Sequence, residues 1–134
     1  MGFFDLLLGR KNRSYFRSGL SVVDRKVVVK KWDEIQELIR LGNPSRFRSA
    51  VVEADKLLDF VLDKMGYTGN LGDKLKMTKD RFVDGNDYSI YDGVWQAHKC
   101  RNRIVHEVSY EVFSSEAYDA VNKFGNGLRK LGVL

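Results

Sequence analysis

Between Asn43 and Gly66 the apolar residues recur at steps of three and four: Phe47, Ala50, Val51, Ala54, Leu57, Leu58, Val61, Leu62 and Met65. A period near 3.6 places all of them on one face of a single long helix. Asn43 is a good cap, Pro44 suits the first helical position, and Gly66 supplies a stop. A helix with so broad an apolar face has to bury it against other elements. The rest of the chain must therefore supply partners.

Those partners are also helical by pattern. Val27, Val28 and Val29 lead into a helix through Trp32, Ile35, Leu38, Ile39 and Leu41 that ends at Gly42. Residues 10–23 show no helical period and read as a linker. Asn70 caps a shorter helix carrying Leu71, Leu75 and Phe82, and Asp84-Gly85-Asn86-Asp87 is a loop by its turn residues. A further helix runs from near Ser89 to about Glu107, with a stripe of Ile90, Val94, Ala97, Arg101, Ile104/Val105 and Val108. The last helix is capped by Ser114 or Ser115, has Glu116 in its first turn, and carries Ala117, Ala120, Val121, Phe124, Leu128 and Leu131 inward. Gly125 and Gly127 each weaken it by roughly 1 kcal/mol relative to Ala, or else permit close helix–helix approach. The expected fold is all-α: an antiparallel bundle of four to five helices preceded by a basic N-terminal arm.

A chain of 134 residues is enough for one core. Its single cysteine, Cys100, excludes an internal disulfide and a cysteine metal cluster, in keeping with a reducing cytoplasm. No run approaches the ~20 apolar residues that cross a bilayer. The start Met1-Gly2-Phe3-Phe4-Asp5-Leu6 has no positive n-region for a signal peptide, and Leu6 stands where a myristoylation signal wants Ser or Thr. The net charge of +5 is unevenly placed. Residues 1–31 hold eight basic residues against Asp5 and Asp24, while the remainder holds 15 basic and 16 acidic residues. The chain thus divides into an arm over 1–27 and a bundle over 28–134. Such an arm suits RNA or an anionic membrane surface, with Phe3, Phe4 and Leu6 to Leu8 as the membrane-peripheral element. It suits a solvated leader equally well.

The chemistry concentrates in Arg101-Asn102-Arg103-Ile104-Val105-His106. Imidazole exchanges protons near neutral pH, and guanidinium grips phosphate oxygens as a fork. Arg101 lies on an apolar stripe, where an unpaired charge is costly. It therefore has an acidic partner among Glu53, Asp55 and Asp59, lines a cleft, or sits at an interface. On a straight helix Asn102 and His106 share a face, whereas Arg101 and His106 diverge by roughly 140°. Convergence on one target then calls for a frayed end or a second subunit. His98, the only other histidine, reads as a satisfied helix residue with a minor claim to be a second base. Cys100, Trp32 and Trp95 read as packing. The histidines and cysteine have no metal-ligand spacing, and Gly66 to Gly72 fits no nucleotide-binding fingerprint.

An arginine, a polar residue and then a histidine near the end of a helix resembles the motif of the HEPN superfamily. Arg101, Asn102 and His106 take its three places. The segments Ala54 to Asp59 and Trp95 to Glu107 look like small bacterial proteins with a HEPN-like C-terminal domain, and the resemblance spans roughly Trp32 to Leu134. It implies a homodimer with two motif helices lining a shared cleft, and an RNA target. It also implies metal-independent cleavage with Arg101, Asn102 and His106 as catalytic residues and no cofactor, with an antitoxin or other partner protein in toxin or defence types. HEPN-like domains without activity also exist, so the alternative is a non-catalytic homodimeric module binding RNA or protein.

Overall fold

The computed structural model describes residues 19–134. The apolar start and the basic residues Arg10, Lys11, Arg13 and Arg17 lie outside the described residues. Within them the chain is all-helical, with no strand. Four long helices, α1 (Val22–Leu41), α2 (Pro44–Lys64), α5 (Ser89–His106) and α6 (Ser114–Lys130), form the bundle. Two short ones, α3 (Leu71–Met77) and α4 (Lys79–Phe82), stand where one helix was expected. The break falls at Thr78, whose buried hydroxyl donates to the carbonyl of Lys74 at 2.7 Å and so closes α3.

Helix α2 is the centre of the bundle: it packs against α1, α3, α5 and α6. Asn43 caps it by accepting from the Arg46 amide at 2.8 Å. Ala50, Val51, Ala54, Leu57, Leu58, Val61 and Leu62 are buried along its inner face. At its far end Gly66 turns at φ 99°, and the Tyr67 amide reaches back to the Leu62 carbonyl at 3.1 Å. Only Gly42 and Asn43 separate α1 from α2, so the two run as an antiparallel pair.

Helix α1 starts at Val22, earlier than the valine triplet suggested. Ser21 accepts from the Asp24 amide at 3.1 Å, which is a sufficient N-cap, and Leu20 just ahead of it is 2 % exposed. The packed body therefore extends before residue 28. Asn70 and Asp73 form a reciprocal capping box at the start of α3. On α6 the cap position is Phe113, so neither Ser114 nor Ser115 caps. The acceptor role passes to Glu116, whose carboxylate takes the Phe113 amide at 3.4 Å. The inner stripe of α6 is buried as expected. On α5, Val94, Ala97 and Ile104 are buried but Val105 and Val108 are exposed. The helix ends at His106, so Val108 falls in the turn beyond it and leaves the stripe.

The two α6 glycines serve close approach. A β-carbon on Gly127 would meet Val94 Cγ2 at 2.6 Å, and one on Gly125 would meet Trp32 Cζ2 at 2.7 Å. Gly127→Ala gains roughly 1 kcal/mol of helix propensity. It also drives a methyl into Val94, and overpacking of this kind costs ~1–3 kcal/mol. The clash should dominate, lowering the urea midpoint of unfolding by about 1 kcal/mol in stability terms. A midpoint equal to or above wild type would show that α5 and α6 separate without penalty.

Candidate functional site

Helix α5 presents one polar flank. At ~100° per residue, Arg101, His98, Asn102 and His106 fall within an arc of about 140°. The wide angle expected between Arg101 and His106 therefore spans a wall rather than separating two sides. In the structure all four line a single open cleft of about 600 Å³, with α2 and α3 opposite. Asp55, Asp59 and Lys76 also face it, and Trp95 forms part of its wall. One chain thus brings together Arg101, Asn102 and His106 without a second subunit.

The floor of the cleft is a closed polar ring. Asp55 of α2 is 3 % exposed, and each of its oxygens meets a different α5 residue. Oδ2 lies 2.7 Å from His98 Nδ1 and Oδ1 lies 3.4 Å from Arg101 Nε. Arg101 Nη1 donates to Asn102 Oδ1 at 2.9 Å. The Asn102 amide nitrogen in turn sits 3.5 Å from His98 Nε2. One assignment of protons satisfies the ring: Nδ1 of His98 donates to the carboxylate, and Nε2 accepts from Asn102. Arg101 Nε is buried and faces Asp55 without hydrogen-bond geometry, so that leg is electrostatic.

Arg101 accordingly has the acidic partner that its place on the stripe demanded, and Asp55 is that partner. Glu53 pairs instead with Lys56, and Asp59 with the buried Lys74 at 2.9 Å. His98 is a satisfied residue, as its reading proposed, but it is also the hub of the ring and stands at the cleft. Trp32 is a core aromatic. Trp95 is only partly buried, and its ring meets His98 edge-on at 6.0 Å. Asp55 carried a signal: it continues the spacing Val51, Asp55, Leu58, Leu62 on the apolar face of α2. A carboxylate on such a stripe needs a cation just as an arginine does.

His106 is different in kind. It is the last residue of α5 and is exposed, and its ring makes no hydrogen bond or ion pair among the described residues. Its imidazole is therefore available to a ligand in the cleft, while that of His98 is engaged. The return loop beyond it is pinned. Arg103 lies over the Tyr110 ring at 4.2 Å, and the Tyr110 hydroxyl donates to Glu116. Burial and that carboxylate push the Tyr110 phenol up to about 12. Cys100 is half-buried against the core, and burial, followed by the nearby Glu116, pushes its thiol up. A raised thiol is a poor nucleophile at neutral pH, which fits a packing role. Among the described residues no group of three or more His, Cys, Asp or Glu side chains converges to hold a metal. Among them too, no helix is long and apolar enough to cross a membrane.

Compared with family models, curated proteins and solved structures, the chain matches none.

The ring has a measurable cost of removal. Taking away one member of a buried ion pair strands the other charge and typically costs ~3–5 kcal/mol. Arg101 keeps some access to water, with a side chain 29 % exposed, so the lower end applies. Asp55→Ala should lose about 3 kcal/mol in urea unfolding. Glu53→Ala, on the solvated side of the same helix, should stay within about 0.5 kcal/mol of wild type. Equal losses for the two would mean that Asp55 does not anchor α5.

Proposed function

We propose that this chain acts on RNA as a HEPN-like, metal-independent endoribonuclease of the toxin or defence type. The observation that carries the reading is the pairing of an available imidazole, His106, with Arg101 and Asn102 on one cleft wall. In the proposed step the RNA 2′-oxygen attacks the adjacent phosphorus as the bond from phosphorus to the 5′-oxygen breaks. His106 moves a proton at the 2′-hydroxyl or at the departing 5′-oxygen. The positive charge of the Arg101 guanidinium stabilises charge on the phosphoryl oxygens. Asn102 orients the phosphate or His106, which shares its face of α5. The products are a 2′,3′-cyclic phosphate and a 5′-hydroxyl. A protein with this activity would be held in check by an antitoxin or other partner.

A second reading is a non-catalytic homodimeric module that binds RNA or protein. It is favoured by the closed ring, which engages Arg101 through both Nε and Nη1. The two readings share an assembly. Val105, Val108 and Phe113 are large apolar residues exposed at the end of the motif helix, the last two at 105 % and 71 %. Covering them with a second copy would place the two clefts side by side about a twofold axis, the commonest soluble symmetry.

Cleavage should persist in EDTA and leave 2′,3′-cyclic ends. His106→Ala should lower the rate by about 10²- to 10⁴-fold, the usual worth of a general acid–base group. Arg101→Ala should lower it by about 10²-fold or more. Activity that vanishes with chelator, or survives in both variants, would leave the binding module as the reading.

Light scattering at micromolar concentration should report about twice the 15.4 kDa chain mass. Val108→Asp with Phe113→Ser should return the mass to one chain while the fold persists. A wild-type monomer, or a dimer indifferent to both substitutions, would remove this interface.

A further inference from the structure

Helix α1 carries a second stripe besides the one it buries in the core. Val23, Val27, Lys31, Glu34, Leu38 and Leu41 follow one another at steps of three and four. At ~100° per residue they fall within an arc of about 80°. The stripe is largely in water: Val23 is 70 % exposed, Val27 39 % and Leu41 47 %, while Leu38 is partly buried. Lys31 and Glu34 at its middle lie 3.4 Å apart, with both side chains more than half exposed. Val27, Lys31, Glu34 and Leu38 also line an open groove of about 450 Å³, with Leu57 and Phe60 of α2 across it.

Apolar residues scattered singly on a surface need no explanation. What sets these apart is their order. From either end the stripe reads two apolar residues and then a charge, and the two charges are opposite. Laid against its own reverse, it brings Val27 to Leu38, Lys31 to Glu34 and Val23 to Leu41. These pairings share one centre, close to Trp32 and Asp33. A twofold axis through that centre, perpendicular to α1, makes them all at once. The Lys31–Glu34 pair within each chain is kept, and each charge gains an opposite neighbour from the other chain. Four charges of alternating sign then close the middle of the contact, and apolar side chains cover both flanks. A helix of unrelated sequence has no reason to match this reversal, whereas a second copy matches it by symmetry.

We propose that the α1 stripe and its groove bind a second copy of this chain, with α1 antiparallel to α1 about a twofold axis. The contact lies on α1 and α2, so it is additional to any pairing through Val105, Val108 and Phe113, and it does not rest on the RNA reading. From Val23 to Leu41 the stripe is about 27 Å long and one helix wide, roughly 10 Å. An interface that narrow falls below ~1,200 Å², the range of weak and transient contacts. Association through it therefore shows on the order of hundreds of micromolar rather than at micromolar.

The test is sedimentation equilibrium of the full chain carrying Val108→Asp and Phe113→Ser, which leaves the α1 contact to be read alone. The mass should be that of one 15.4 kDa chain at micromolar concentration and climb towards two in the range of hundreds of micromolar. In that background Lys31→Glu and Glu34→Lys each set like charges against one another in both halves of the contact. Each should weaken association at least tenfold. Both positions are solvated, so thermal melts should match the parent. Mixed in equal amounts, the two single variants should associate again, because each supplies the sign that the other has lost. Both substitutions in one chain should likewise restore the parent's association. A parent that stays a single chain throughout overturns the proposal and leaves the groove to a partner of other sequence. Single variants that associate as the parent does overturn it too. So does a mixture that fails to restore association, since loss without rescue reports a change within one chain.

Discussion

A carboxylate sealed in the middle of the bundle sets the terms for everything around it. Asp55 is on α2, the helix that touches every other long helix, and its side chain is 5 % exposed. An ionised carboxylate in such a place is tolerated only when cations and hydrogen-bond donors meet it. The donor, His98, and the cation, Arg101, both come from α5, three residues apart and so on one face. That pairing fixes the rotation of α5 about its own axis and its register against α2. Once α5 is fixed, Asn102 and His106 must face the same cleft, since they follow along the same flank. The geometry of the candidate site is thus a consequence of where one acid was buried.

The packing around that ion pair explains why small residues recur at the α5–α6 contact. Ala97 on α5 and Ala117, Ala120 and Gly127 on α6 are all buried. Gly127 in particular admits Val94 to a distance no β-carbon would allow. Close approach of α6 from one side and a carboxylate from the other leaves α5 little freedom to roll. The result is a rigid helix with a polar flank, and rigid elements place site residues better than loops do. His106 gains from this as well, because the loop just after it is clasped through Arg103, Tyr110 and Glu116.

Much of this was legible as periodicity. The α2 and α6 stripes, the Asn43 and Asn70 caps and the Gly42 and Gly66 stops all appear in the fold as their residue types dictate. What escaped did so for specific reasons. The start of α1 rests on a serine cap and a buried Leu20, and one leucine ahead of a helix has no period to announce it. The Phe113 cap displaces two serines because Glu116 satisfies the helix start from within, a contest that propensity alone does not decide. At the site, Arg101 was conspicuous as a charge on an apolar stripe. Asp55 obeys the same arithmetic on α2, yet three acids within seven residues obscured it, and which of them met Arg101 depended on how the helices rotate. His98 was discounted because a lone helical histidine is more often satisfied than active. It is satisfied, but by the residue that builds the site.

The two histidines thus stand in different surroundings, one engaged with Asp55 and one exposed at the helix end. They are eight residues apart on α5, a rise of about 12 Å. That is too far for both rings to reach one phosphate, so a mechanism with His98 as acid and His106 as base on the same bond is excluded by helix geometry. Four residues separate Asn102 from His106, about 6 Å of rise on the same face, which is a span one phosphodiester bridges. Arg101 adjoins Asn102 and is held by it. The reactive geometry, if RNA occupies the cleft, lies at the C-terminal end of α5. His98 and Asp55 lie one turn deeper, where they brace Asn102 and Arg101 from behind. A buried acid–histidine pair and an exposed histidine on one helix then differ in kind: the first is engaged within the ring that holds Arg101 and Asn102, and the second is open to the cleft.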